Sequence, residues 1–362
     1  MGGRFSNWGT GGRSCGLLEA QAEQTVRLMT LKNKNIILAA RPDGLPGPEC
    51  WQLVVTDVPA VANRQLLVEV KHISLDPAMR AWMNEYCYIG GVDIGETMRA
   101  FGVGEVLESQ HPDFEPGDFV RGMLGVQTYS VTDGDDIQLN KLTIGDEPLS
   151  NHLGIFGMTG LTAYAGITKE VDVQPGQQVL VSTSAGAVGS AVAQIAKIKG
   201  AYVVGIAGGQ EKVDFCINEL GLDACIDYKA GNIDQQLTEA MPNGVDIYFD
   251  NVGVPILDNV LDHINERSVT LICGAINQFQ HMDLVAGPSL YLRLAERLSV
   301  MKGFTYYHYL DYFDESTEHM KNWILTGQLK HFEHHEQGLE NFHHSFNLLF
   351  TGGNLGKLII TL

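Results

Sequence analysis

Residues Ser184-Ala185-Gly186-Ala187-Val188-Gly189 sit between an apolar run, Val179–Val181, and a helix-period segment, Ala191–Lys199, with a second apolar run at Tyr202–Ile206. Strand, tight turn, helix and strand in that order make the shape of a dinucleotide-binding βαβ unit. A diphosphate needs backbone N–H groups with no side chains in the way. Gly186 lets the backbone approach it, and Gly189 lets the helix pack closely on the sheet. A helix starting near Ala187 aims its N-terminal donors and dipole at the anion. The first position of the fingerprint is Ser184 rather than glycine. An ordinary Gly-rich turn is the plainer alternative; the βαβ context decides for cofactor binding. Specificity is read about 20 residues further on, where NAD enzymes place a carboxylate for the ribose 2′-hydroxyl. Here the second strand ends Ala207-Gly208-Gly209-Gln210, followed by Glu211 and Lys212. Gly208 and Gly209 leave room for a 2′-phosphate and Lys212 can pair with it, so the pattern favours NADPH over NADH. Asp227-Tyr228-Lys229, after a third strand, offers a Tyr and a second cation at the adenosine end.

Two kinds of architecture must position these residues. Residues 35–150 carry short apolar runs punctuated by Gly, Pro and Asp, such as Trp51–Val55, Gln65–Val70 and Gly102–Leu107. Short strands with frequent turns predict a compact β-rich barrel. From about 151, apolar runs at 179–182, 202–207, 224–227, 245–250, 269–273 and 300–305 alternate with helical segments. That alternation predicts a doubly wound parallel sheet with helices on both faces, an α/β fold. Leu355–Leu362 is strand-like again and is expected to return to the first domain after a last helix at Leu339–Phe350. The expected division is 29–150 together with 332–362 for the barrel, and 151–331 for the parallel sheet. Residues 1–28 read as an extension, expected to be mobile.

The bulk composition narrows the partners. The chain has 362 residues, 44% of them hydrophobic, enough for two sizeable cores. A formal net charge of −19 argues against nucleic acid or an anionic membrane surface as a partner. No apolar run reaches the roughly 18 residues of a membrane span. Six cysteines at 15, 50, 87, 216, 225 and 273 include no C-x-x-C pair. Reduced thiols and a cytoplasmic location are the natural expectation.

Together these residues resemble the medium-chain dehydrogenase/reductase superfamily, in the zinc-independent branch of leukotriene hydroxydehydrogenase/prostaglandin reductases, alkenal double-bond reductases and curcumin reductase. The resemblance runs from about Asn35 to Leu362. It rests on Ser74-Leu75-Asp76-Pro77-Ala78-Met79-Arg80, Gly157–Tyr164, the Ala185–Ser190 turn, Phe249-Asp250-Asn251-Val252-Gly253, Cys273-Gly274-Ala275-Ile276 and Gly353-Asn354-Leu355-Gly356-Lys357. The resemblance implies a GroES-like β-barrel catalytic domain plus a Rossmann domain, with NADPH in the cleft between them. It implies adenosine-phosphate contacts at Lys212 and Tyr228, the diphosphate over Gly186–Gly189, and Asn251 facing the cofactor. Cys273, Gly274, Ala275, Ile276, Phe304, Tyr306 and Asn354 would flank the nicotinamide half, with Met158 and Thr162 beneath it. A homodimer through edge strands of the Rossmann sheets is also implied.

Alcohol dehydrogenases share this superfold and use zinc. Their Cys ligand, Gly-His-Glu motif and four-Cys lobe have no counterpart here, so no metal is expected. The segment His331-Phe332-Glu333-His334-His335-Glu336, with His343 and His344, lacks H-E-x-x-H spacing and reads as a solvated or core-edge cluster. Without zinc a conjugated enone or enal is an easier target than a simple ketone. Hydride adds to the β-carbon and the α-carbon is protonated, given a hydrogen bond to the carbonyl oxygen. The donor is the open point. Many relatives have Tyr where Phe279 and Ala78 stand. Tyr306 and Tyr307 are the nearest replacements, with Tyr86 and Tyr88 weaker ones; the cofactor ribose hydroxyl and water are the alternative. Ala78, Trp82, Met83 and Phe279 would make a wide apolar pocket suited to long or aromatic enones. An NADPH quinone oxidoreductase and an NADPH-binding sensor or scaffold are the two rival readings.

Overall fold

The computed structural model describes residues 31–87, 89–136, 138–280 and 286–362. The extension expected at 1–28, and Tyr88, lie outside the described residues. β1 (Lys32–Leu38) and β2 (Trp51–Asp57) pair antiparallel, Leu38 opposite Trp51. β3 (Gln65–Ser74) carries Leu66, Leu67, Val68, Val70 and Ile73, all buried. A strand this apolar on both faces belongs inside a closed layer rather than at its rim. It pairs with β4 (Gly102–Ser109), which pairs in turn with β5 (Phe119–Gly122); β6 (Tyr129–Asp133) pairs with β3 and β7 (Asn140–Leu142) with β5. This is the GroES-like barrel.

The second sheet is wholly parallel. β8 (Gln178–Ser182), β9 (Tyr202–Ala207), β10 (Ala224–Asp227), β11 (Val245–Asp250), β12 (Ile264–Ile272) and β13 (Val300–Gly303) lie in the order β10-β9-β8-β11-β12-β13. That is the 3-2-1-4-5-6 order of a Rossmann sheet, with its switch point between β8 and β11. Val179, Leu180 and Val181 are fully buried because helices cover both faces. The helix Ala187–Ile198 is buried from Gly189 to Ala196, packed on the sheet by Ala191, Val192, Ile195 and Ala196 and covered on its other side as well. Gly189 permits its close start: a Cβ there would lie 2.2 Å from the Thr183 carbonyl oxygen.

The chain then leaves this sheet. β14 (Glu333–Gln337) runs parallel to β15 (Lys357–Thr361), and β15 pairs antiparallel with β3, Ile360 opposite Ile73. β15 is reached through Gly356, at φ +69°, where a Cβ would lie 2.1 Å from the Phe332 carbonyl oxygen. Gly356 N–H donates to the Ala185 carbonyl at 2.9 Å. The returning strand thus touches the Gly-rich turn and stitches the barrel to the Rossmann sheet.

Candidate active site

A cavity of about 490 Å³ lies at the C-terminal ends of the parallel strands, facing the barrel. Ala185, Gly186, Ala187, Val188 and Gly189 form one wall. Gly186 is the N-cap of the helix Ala187–Ile198, extended at φ −91°, ψ 178°, with no side chain between its backbone and the cavity. Donors, dipole and open space coincide there, as an anion needs. Ser184 does not enter the cavity; its buried hydroxyl donates to the Ile206 carbonyl at 3.2 Å.

Where the adenosine end was expected, the Tyr228 ring lies against Gly208, at which a Cβ would come within 2.6 Å of it. Asp227 ties the strand ends together: its Oδ1 accepts from Gly209 N–H at 2.8 Å and from Lys229 N–H at 2.9 Å. Lys212 and Lys229 converge. Both ammonium groups lie within 4 Å of the place a Cβ on Gly352 would take, at 3.8 and 3.9 Å. Burial, and then the charge of Lys229, pull the Lys212 ammonium below the usual lysine range. No ion pair to either lysine is seen among the described residues. Two like charges held together at a cleft make a site for a doubly charged anion.

Asn251 is held by two hydrogen bonds to Ser182: its backbone N–H to the hydroxyl and its Nδ2 to the carbonyl, each 2.8 Å. Asp250 organises the loop behind it, accepting from Val252 N–H, Gly253 N–H and the Tyr248 hydroxyl. Burial pushes the Asp250 carboxyl up, and pushes the Cys273 thiol up to about 12. Cys273, Gly274, Ala275 and Ile276 line the cavity with Asn251, and so do Met158, Thr162, Phe304, Tyr306 and Asn354. The Thr162 hydroxyl is engaged by the Met158 carbonyl at 2.8 Å.

Ala78, Trp82 and Phe279, expected at the substrate, also line the cavity. Met83 does not. It follows the helix Ala78–Trp82 by one residue, which turns it into the barrel core, where it is fully buried. Tyr307 is also absent from the wall; it stacks behind Tyr306 with ring centroids 4.2 Å apart. Tyr306 lines the cavity, but its hydroxyl oxygen is buried, so the cavity meets the ring. Arg121 is close enough for its charge to act on Tyr306. This guanidinium donates to the Phe156 carbonyl at 3.1 Å and lies 4.2 Å from the centre of the Phe313 ring. Burial pulls Arg121 down to about 10, and burial with the Arg121 charge pulls His152 down to about 4. Tyr86 is exposed, away from the cavity.

One feature of the wall escaped the sequence analysis. Lys357 Nζ pairs with Asp76 Oδ1 at 2.5 Å and donates to the Leu75 carbonyl at 3.2 Å, while Ser74 donates to the other Asp76 oxygen. Both charged residues are buried and both line the cavity. Two of the motifs quoted above thus meet in one ion pair, which their separation in the chain conceals. The His-rich segment is β14 and its flanks; His335 meets Glu333 at 2.9 Å and His334 meets Glu336 at 3.0 Å. Among the described residues, no three His, Cys, Asp or Glu side chains come together as metal ligands.

A barrel and a Rossmann sheet enclosing a cleft with a Gly-rich turn define a two-domain nucleotide-dependent oxidoreductase. The family described as the N-terminal domain of oxidoreductase matches residues 34–139, and the one described as zinc-binding dehydrogenase matches residues 187–322. The chain is 36% identical over 340 residues to the NADPH-dependent curcumin reductase of Escherichia coli, covering 91% of this chain and 96% of that protein. It is 34% identical over 340 residues to the NADP(+)-dependent 2-alkenal reductase of Nicotiana tabacum, covering 91% and 97%. The structure of CurA from Vibrio vulnificus in complex with NADPH superposes with a TM-score of 0.85 at 37% identity, covering 91% of this chain and 98% of that one. The chain belongs to the medium-chain dehydrogenase/reductase superfamily, in its zinc-independent branch of curcumin, alkenal and prostaglandin reductases. It is an NADPH-dependent oxidoreductase of that type.

Proposed function

We propose that the protein reduces the carbon–carbon double bond of α,β-unsaturated ketones and aldehydes, without zinc. The observation that carries the cofactor half of this reading is the convergence of Lys212 and Lys229 beside Gly352, with Tyr228 against Gly208. Gly186 and Gly189 leave the diphosphate its backbone cradle, and Asn251, fixed by Ser182, faces the nicotinamide half. NADPH, when bound, supplies the hydride, which we place at the β-carbon. Ala78, Trp82 and Phe279 give the alkene an apolar surface and keep water from it. That surface and the names of the relatives favour long or aromatic enones over the smallest enals.

The buried Tyr306 hydroxyl changes the expectation for the proton. A general acid contributes about 10²–10⁴-fold. Tyr306→Phe is therefore expected to lower kcat by less than about tenfold, with protonation coming from solvent. A loss of two or more orders of magnitude in kcat at unchanged KM would restore Tyr306 as the donor. The reaction itself is tested by incubating the enzyme with deuterium-labelled NADPH and a long conjugated enone. Deuterium at the β-carbon supports the reading; oxidation of NADPH by quinones alone would replace it with quinone reduction, which the absence of a hydroxyl at Phe279 and Ala78 favours.

The edge strand β13 leaves Val300 and Met301 exposed, and Leu292 and Leu298 beside it are exposed as well. We place a homodimer contact on this edge. Val300→Lys with Met301→Glu is expected to convert dimer to monomer by light scattering; a wild-type monomer at micromolar concentration would remove the assignment.

A further inference from the structure

Ser184, the position where the phosphate-turn fingerprint departs from glycine, has a second set of partners. Its hydroxyl lies 3.2 Å from Cys216 Sγ and 3.9 Å from Cys225 Sγ. The two thiols thus share one hydroxyl partner. Space for the cluster comes from Gly205, the partner of Cys225 in the β9–β10 register, where a Cβ would lie 2.5 Å from the Ser184 hydroxyl. Cys216 sits on the helix Gln210–Asn218, one turn beyond Lys212 on the same face. Cys225 sits on β10, three residues before Tyr228. The pair therefore bridges the two elements that carry the adenosine-end contacts. Nothing in the reductase chemistry uses it.

We propose that Cys216 and Cys225 form a dithiol/disulfide site, oxidised by hydrogen peroxide, whose closure weakens NADPH binding. One thiolate takes an oxygen from peroxide, the O–O bond breaks, water leaves and a sulfenic acid forms. The second thiolate attacks that sulfur, the S–S bond forms, the S–O bond breaks and a second water leaves. Two thiols and one peroxide give one disulfide and two waters; the two sulfurs together lose two electrons and peroxide gains them. The neighbouring Cys225 thiol and Ser184 hydroxyl, with the Lys212 charge, hold the Cys216 thiol below the ordinary range, and so favour the reactive thiolate. Cys216 is fully buried, and peroxide's approach to it is past the partly exposed Cys225. A disulfide needs the sulfurs about 2.0 Å apart, closer than any hydrogen-bonded contact. Its formation pulls the helix bearing Lys212 toward the strand leading to Tyr228, and the phosphate site between them changes shape.

The proposal rests on NADPH binding and not on the enone reading. Binding and oxidation are linked, so each must disfavour the other by the same factor. The test uses the whole protein, titrated with hydrogen peroxide. Differential alkylation and peptide mass analysis should find Cys216 joined to Cys225. The Kd for NADPH, from its fluorescence, should rise about tenfold and return on adding dithiothreitol. Saturating NADPH should raise the reduction potential of the pair by about 30 mV for that tenfold change. Cys225→Ser, or Cys225→Ala if the serine form folds poorly, should bind NADPH normally and keep its affinity in peroxide. Failure to find the joined peptide in the wild type overturns the proposal. So does a joined peptide with unchanged Kd, or an equal peroxide-driven loss in the Cys225 variant, which would point to Cys273 in the cavity wall instead.

Discussion

Alanine at both Lys212 and Lys229 is expected to raise the KM for NADPH by about 10²–10⁴-fold, from two charge-assisted contacts of about 1.5–3 kcal/mol each. The lower part of that range applies, because Lys229 is exposed and water screens its charge. The KM for NADH, which has no 2′-phosphate, should change little. The asymmetry is the informative result. The two ammonium groups repel each other until an anion lies between them, so their removal costs the free protein nothing in electrostatic energy. Thermal stability should hold or rise, while the protection conferred by NADPH disappears. Steady-state kinetics with both cofactors, together with thermal denaturation, checks this. An equal loss with NADH would mean that the lysines shape the cleft rather than read the phosphate.

Lys357→Met should destabilise the fold by about 3–5 kcal/mol, the usual consequence of leaving one member of a buried pair alone. Asp76 is 8% exposed and Lys357 4% exposed, so water cannot replace the lost partner. Against a typical stability of about 5–15 kcal/mol, that is a large fraction. The double change Asp76→Leu with Lys357→Met should recover much of the loss, since it removes both charges. Chemical denaturation of these two variants and of Asp76→Leu alone gives the coupling energy. A single-variant loss below about 1 kcal/mol would show that water reaches the Asp76 carboxylate once its partner is gone.

The Rossmann half was legible because a parallel strand buried on both faces must be apolar throughout, and Val179–Val181 and Tyr202–Ile206 are. The barrel was legible as a class, less so strand by strand. β7 has three residues, and β14, Glu333–Gln337, reads as a histidine cluster because it has almost no apolar side chains. An edge strand needs a backbone partner on one side only, and its histidines and glutamates satisfy each other. The Gly-rich wall of the cavity could be read from motifs because backbone and glycine set it. The side chains that act across the chain could not. Lys229 is legible as a second cation for the end where Lys212 stands, but nothing near either lysine says that Gly352 meets them, and nothing near Tyr306 says that the Arg121 charge reaches it. Met83 was misplaced by a single residue of helical rotation, enough to turn a side chain from cleft to core.

The position of β15 also sets a timetable. Asp76 and its partner Lys357 are 281 residues apart. At about 5–20 residues per second, a ribosome takes roughly 15–60 s to span them. Throughout that interval the first half of the barrel has an open strand edge at β3 and an uncompensated carboxylate beside it. The Rossmann half, whose strands need only one another, can form meanwhile. The strand that closes the barrel is therefore made long after the strands it joins, and the nascent chain stays exposed to aggregation and to chaperones until β15 emerges.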